Sequence, residues 1–244
     1  MFFGILYRIS FLRSMLYALS YATELKLDEV ESNGFEKLSL SLKRGCLLLG
    51  TEKTIYSWDD QYKNFYWTFE TINFGQWQKP EILLIGMGLG AIPYQLEHRF
   101  GLFFEMDCVE IHPGAVELAY KYSLSRMSNN ITVQLVDGVH YVMHTFKTYD
   151  LIIIDVCVED DIPKSFEETE FLDRCNQMLA PEGLILFNRF YSDFKDQFYT
   201  DRFYNQRFRK MFSNTTLLDF QGTAILKGRK KLDSDSKGCI KLPG

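Results

Sequence analysis

From Glu24 onward, apolar and polar positions alternate with a period of two: Leu25, Leu27 and Val30, then Phe35, Leu38, Leu40 and Leu42, then Leu47 and Leu49. Such alternation turns one face of each strand to a core and the other to water. Asn33-Gly34 and Lys43-Arg44-Gly45 supply turn chemistry, so a small antiparallel meander is predicted. Residues 61–73 read as a helix with Tyr62, Phe65, Tyr66 and Phe69 on one face, closed off by Trp77 to Pro80. Ahead of the meander, Met1 to Thr23 is strongly apolar, and Leu12, Met15, Leu16 and Leu19 follow a helical stripe. This stripe predicts a helix docked on its own domain or on a second subunit.

After Pro80, short apolar runs alternate with helical patterns, the mark of strands joined by crossover helices in a parallel sheet. Strands are predicted at 82–85, 104–111, 131–136, 151–155 and 184–187, and helices at 92–99, 114–124, 139–146 and 167–179. A longer, aromatic helix is predicted at 193–212, and a closing hairpin at 215–220 and 223–226 across Gly222 would end the sheet antiparallel. The expected organisation is an apolar helical segment (1–23), a β-rich unit with its linking helix (24–75), a doubly wound α/β domain (76–227) and a loose polar tail (228–244).

Composition narrows the function. The 244 residues carry 27 Lys and Arg against 32 Asp and Glu, a net charge of -5, which argues against a protein devoted to nucleic-acid phosphates. Arg8 and Arg13 break the N-terminal apolar run well before the ~20 residues of a spanning helix, so no membrane span is expected. A helix lying on a membrane surface would have only those two basic anchors. Five dispersed cysteines with no C-x-x-C spacing indicate neither a disulfide framework nor a zinc knuckle, and a reducing cytoplasm is the simplest location. His140 and His144 stand four apart on a predicted helix, yet no third ligand is near in sequence, so no metal site is expected.

The candidate chemistry gathers at the strand ends. Gly86-Met87-Gly88-Leu89-Gly90 follows an apolar strand and precedes a helix, where glycines let backbone N–H groups approach a ligand. Glu110, twenty residues beyond Gly90 and beside Ile111, ends the second strand of this domain, where a carboxylate can accept both hydroxyls of a ribose. Asp137-Gly138 follows the third strand; Asp137 either accepts an adenine amine or caps a helix. Asp155 ends the fourth, with Glu159, Asp160 and Asp161 shortly after, and Asn188-Arg189 lies just beyond the fifth. Ligands in open parallel sheets bind outside the carboxyl ends of the strands, so these groups are expected to converge on one cleft.

The segment from Glu24 to Leu226 resembles the spermidine-synthase-like branch of the S-adenosylmethionine-dependent methyltransferase fold. Leu84 to Gly90 is similar to the family's glycine motif, Val109-Glu110-Ile111-His112-Pro113 to its ribose-binding Val-Glu-Ile-Asp-Pro, Val136-Asp137-Gly138 to its adenine-side motif, and Pro181-Glu182-Gly183 to its Pro-Gly-Gly turn. The resemblance implies S-adenosylmethionine or its decarboxylated form as ligand, held by Gly86, Gly88, Gly90, Glu110, Ile111, Asp137 and Gly138. It also implies a homodimer, and places Tyr56, Ser57, Asp59, Asp60 and Tyr62 over the substrate. The chain departs from the aminopropyltransferases at two acids: Leu89 stands where the glycine motif carries one, and Val158 where the second Asp of Asp-x-x-Asp-Pro deprotonates the attacking amine.

The expected function is therefore transfer of a methyl group to a small-molecule acceptor, with Asp155 and secondarily Asp160 orienting the acceptor or taking its proton. A second reading retains aminopropyl transfer, with Asp160 or Asp161 replacing the missing acid. A third is an inactive nucleoside-binding scaffold, which would tolerate Gly88→Asp or Glu110→Ala.

Overall fold

The computed structural model describes residues 14–51, 55–58, 63–157 and 161–232. A four-stranded antiparallel sheet is built from β1 (Leu25–Val30), β2 (Leu38–Lys43), β3 (Cys46–Gly50) and β4 (Ile55–Trp58), in that order. The β2–β3 turn is a tight two-residue connection in which Arg44 and Gly45 both have positive φ and Lys43 pairs with Cys46. That backbone matches the twist of a hairpin. β4 was absent from the sequence expectation, and Phe35, expected in a strand, lies in the β1–β2 turn.

Helix α1 (Lys63–Glu70) leads from this sheet to the main domain. It is shorter than expected and buries Phe65 and Phe69, whereas Tyr62 lies outside the described residues. The main domain then runs β5 (Glu81–Ile85), α2 (Ala91–His98), β6 (Glu105–Glu110), α3 (Pro113–Tyr122), β7 (Asn130–Leu135), α4 (Gly138–His144), β8 (Tyr149–Ile154), α5 (Thr169–Met178), β9 (Leu179–Tyr191), α6 (Phe194–Phe203), β10 (Ser213–Asp219) and β11 (Gly222–Arg229). The seven strands stand in the order β10-β11-β9-β8-β5-β6-β7, with β11 antiparallel to both neighbours and the central pairs parallel. This is the doubly wound α/β sheet with an antiparallel end that the sequence predicts.

Alternate residues of the central strands enter two separate cores. Ile82, Leu84, Ile153 and Leu186 pack with Phe65, Phe69, Ile92 and Ala119 of α1, α2 and α3. Leu83, Ile85, Ile152 and Phe187 pack with Val142, Leu172 and Phe203 of α4, α5 and α6. Helices thus cover both faces, which explains why the strands read as unbroken apolar runs. A third cluster, Leu38, Leu40 and Leu49 against Leu89, Ala115 and Leu118, fixes the small sheet over the start of α2 and over α3.

Three differences from the sequence expectation have physical reasons. β9 starts five residues early, because Pro181-Glu182-Gly183 is carried inside the strand as an irregularity, with Glu182 at a φ of 61°. The helix expected over 193–212 contains a π turn at Tyr204–Phe208. On a regular α-helix Phe203 and Phe208 would diverge by about 140°; the wider turn brings both, with Phe212, into the core. The tail is ordered beyond residue 227, since β11 reaches Arg229, Lys230 N–H donates to Gly183 O and Lys231 N–H to Asn176 Oδ1. At the other end residues 14–19 are helical, but Met15 and Leu19 are exposed and Leu12 lies outside the described residues.

Phe69→Ala is expected to cost about 3–5 kcal/mol in urea unfolding, because it empties a fully buried site between helix and sheet. Trp67→Ala on the exposed side of the same helix should stay within about 0.5 kcal/mol.

Candidate active site

The carboxyl ends of β5 and β8 meet at a single backbone contact. Asp155 N–H donates to Ile85 O at 2.8 Å, and Gly86 N–H to Val109 O at 2.9 Å, so the chain leaving β5 is held between both neighbours. Gly86 has a φ of +85°, and a Cβ there would lie 2.0 Å from the Asp155 carbonyl oxygen. Only glycine fits. At this point the strand order reverses, the usual location of a ligand crevice in open α/β sheets. A cavity of about 740 Å³ opens here, within the range of small-molecule and cofactor sites.

Gly86, Gly88, Glu110, Ile111, Asp137, Gly138 and Asp155 all line this cavity. Gly90 does not. It caps α2 in the left-handed conformation, behind the loop and against Ser123 and Leu124. Asp160 lies outside the described residues, as do Val158, Glu159, Asp59, Asp60 and Tyr62. Tyr56 lines the cavity, whereas Asp161 is exposed and accepts its neighbour's Ile162 N–H.

Glu110 is fixed by backbone donors: Gly88 N–H to Oε2 at 3.0 Å, and Ile111 and His112 N–H to Oε1, each at 2.9 Å. A carboxylate offers about four acceptor positions, so the group is oriented with capacity to spare. It also ties the glycine loop to the end of β6. His112 caps α3 by accepting the Gly114 N–H on Nδ1. Its proton therefore sits on Nε2, which donates to Glu36 O of the small-sheet unit at 2.8 Å.

At the end of β7, Asp137 caps α4 by accepting the His140 N–H at 2.8 Å and also faces the cavity, so both roles weighed for it remain compatible. Gly138 is packed beneath Ile85 and Phe166. His140 and His144 stack with ring centroids 4.1 Å apart, and no group of three metal-ligating side chains occurs among the described residues.

Asp155 lies at the cavity floor. Burial pushes its carboxyl up to about 7, a hydrogen bond from Asn188 opposes the rise, and the Glu110 charge adds to it. Asn188 Nδ2 donates to Asp155 Oδ1 at 2.8 Å, and Asn64 Nδ2 donates to both Asn188 Oδ1 and Thr223 Oγ1 at 3.2 Å. Asn64 and Thr223 escaped sequence reading. They come from α1 and β11, 159 residues apart, and no local pattern links them.

One cavity thus brings together a carboxylate fixed by three backbone donors, a helix-capping carboxylate and a carboxyl raised by burial to about 7. The sequence pattern of the spermine/spermidine synthase domain matches residues 72–218. The chain belongs to that family. A polyamine aminopropyltransferase of Vibrio vulnificus (strain CMCP6) is 29% identical over 167 residues, covering 66% of this chain and 54% of that protein. A human eEF1A lysine and N-terminal methyltransferase is 29% identical over 119 residues, covering 44% of this chain and 17% of its own length. The chain thus spans about half of the bacterial relative and under a fifth of the human one. The crystal structure of human methyltransferase-like protein 13 in complex with SAH superposes with a TM-score of 0.59 at 20% identity, over 72% of this chain and 84% of that one. The spermine/spermidine synthase family fold is therefore joined in this chain to relatives of two transfer chemistries. No helix among the described residues is long and apolar enough to cross a membrane.

Gly86→Ala is expected to prevent stable folding or lower the melting temperature sharply, because its Cβ would collide with a backbone oxygen. Gly101→Ala, also at positive φ but with nothing within 4 Å, should cost only about 1 kcal/mol. Differential scanning calorimetry of the two variants separates collision from conformational strain.

Proposed function

We propose that this member of the spermine/spermidine synthase family transfers the methyl group of S-adenosylmethionine to a small-molecule acceptor. The observation that carries the choice is the position of Leu89. The corresponding acid of the resembling aminopropyltransferases is replaced by a side chain buried against Leu38, Leu40, Ala115 and Leu118, so no carboxylate stands there to meet an ammonium.

The residues present fit the donor. Glu110 is oriented toward the cavity with acceptor capacity left for ribose hydroxyls, Asp137 stands at the adenine end, and Ile111, Ile162, Pro163 and Phe166 offer apolar walls to a planar base. Gly86 and Gly88 present backbone rather than side chains to the cavity. S-adenosylmethionine supplies, when bound, a sulfonium-activated methyl group. The chain positions the acceptor in line with it, which supplies most of what such a displacement needs. Asp155, oriented by Asn188, holds the acceptor and takes the proton it releases. Asp160 stays a secondary candidate for that role. The reading extends to a homodimer in a reducing cytoplasm, the dimer supported by the exposed Tyr17 and Leu19 of the N-terminal helix.

Aminopropyl transfer is the second reading, favoured by the Vibrio relative. Parallel isothermal titration with S-adenosylmethionine, S-adenosylhomocysteine and the decarboxylated donor separates the two: tighter binding of the carboxylate-bearing forms supports methyl transfer, and preference for the decarboxylated donor overturns it.

Ionised Asp155 is the active form, so single-turnover methyl transfer is expected to rise with pH through about 7. Asp155→Asn should remove that inflection and lower the rate by about 10²–10⁴-fold. Stability has the opposite sign. The folded-state value lies above the ordinary 3.8, so this carboxyl costs stability increasingly as pH rises from near 3.8 through about 7. Asp155→Asn should therefore gain in melting temperature relative to the native protein as pH is raised across that window.

A further inference from the structure

Arg189 follows Asn188 on β9 and lines the same cavity, yet only 5% of it is exposed. Its guanidinium pairs through Nη2 with Glu167, stacks over Phe203 at 4.4 Å and directs Nε toward Thr200 Oγ1 at 3.5 Å. Nη1 is buried without any hydrogen-bond partner. Leaving a charged donor buried and unsatisfied is costly, and such groups in native proteins call for a ligand or a functional reason. With Nη2 and Nε engaged, Nη1 is the donor of this guanidinium left for a carboxylate oxygen.

Position along the sheet edge says which ligand. Glu110 and Asp137 end β6 and β7, Asp155 ends β8 at the reversal, and Arg189 stands on β9 beyond it. Strands are about 4.8 Å apart, so Arg189 is some 14 Å across the sheet from the Glu110 strand. It therefore lies on the acceptor side. There the cavity adds Lys63 and the carboxyl of Asp155, raised by burial to about 7, while Glu167 is already paired with Arg189 and Asp161 lies within electrostatic reach of it. A diamine would bring two positive charges into these surroundings.

Resting on the methyl-transfer reading, we propose that the acceptor carries a carboxylate bound by Arg189, with its nucleophile directed to Asp155. Arg189 is thus a specificity residue. An acceptor such as an ω-amino acid satisfies both ends: the carboxylate receives Nη1, and the amine meets Asp155.

The test titrates 4-aminobutyrate and 5-aminovalerate against the matched diamines putrescine and cadaverine, on the full chain, both free and loaded with S-adenosylhomocysteine. At least one amino acid is expected to bind about tenfold tighter than its diamine, a difference of about 1.4 kcal/mol. Arg189→Gln should abolish that preference, and Arg189→Lys retain part of it. Equal or tighter diamine binding, or no binding of either amino acid, overturns the proposal. Because Arg189 is buried and its variants can fail to fold, the comparison on the native protein decides alone. If Arg189→Gln weakens S-adenosylmethionine but not its decarboxylated form, the carboxylate belongs to the donor and the acceptor assignment falls. Failure of S-adenosylhomocysteine to bind the native protein counts against the methyl-transfer reading instead, while the amino-acid preference is still read on the free chain.

Discussion

The architecture turns on how closely the end of β5 approaches the end of β8. With Asp155 N–H bound to Ile85 O, and Gly86 turned to positive φ under the Asp155 carbonyl, the glycine loop and the candidate proton acceptor form one backbone unit. The parallel registers on either side, Ile85 with Val109 and with Ile154, carry that alignment outward. Glu110 then closes the loop from the other flank through Gly88. A displacement of any of these strands would move both halves of the cavity together, so the backbone hydrogen bonds give the site its rigidity.

The small sheet has a double attachment to this unit. Its apolar face packs on Leu89, in the glycine loop, and on α3, while the His112 imidazole joins the start of α3 to Glu36. Leu89 thus serves as a packing group that joins the glycine loop to the small sheet.

Much of this was legible in the sequence because local chemistry dictated it. Ile82 to Ile85 and Ile152 to Ile154 read as buried strands since both sides of each strand are covered, and the glycine spacing announced a tight turn against a neighbouring backbone. Glu110 and Asp137 stand out in the sequence by their place at strand ends, and both line the cavity. Other features depend on distant partners. Asn64 gains its meaning only from Asn188 and Thr223, which folding brings to it from the far end of the chain. Gly90 looked equivalent to Gly86 and Gly88, yet one further residue along the turn carries it behind the loop. The π turn is invisible to a period of 3.6 because it exists to satisfy three phenylalanines that such a period would separate.

The Asn64–Asn188–Asp155 chain has a polarity. Each amide donates toward the next acceptor, and the sequence of donors terminates on a carboxylate oxygen. Neutral carboxamides can orient a group through hydrogen bonds, but they have no ionisable proton to exchange, so the chain acts as an electrical insulator behind Asp155. A proton collected there cannot drain into the protein along this path. In the proposed reaction the carboxyl would then be reset from the cavity side, coupled to whatever vacates the cavity.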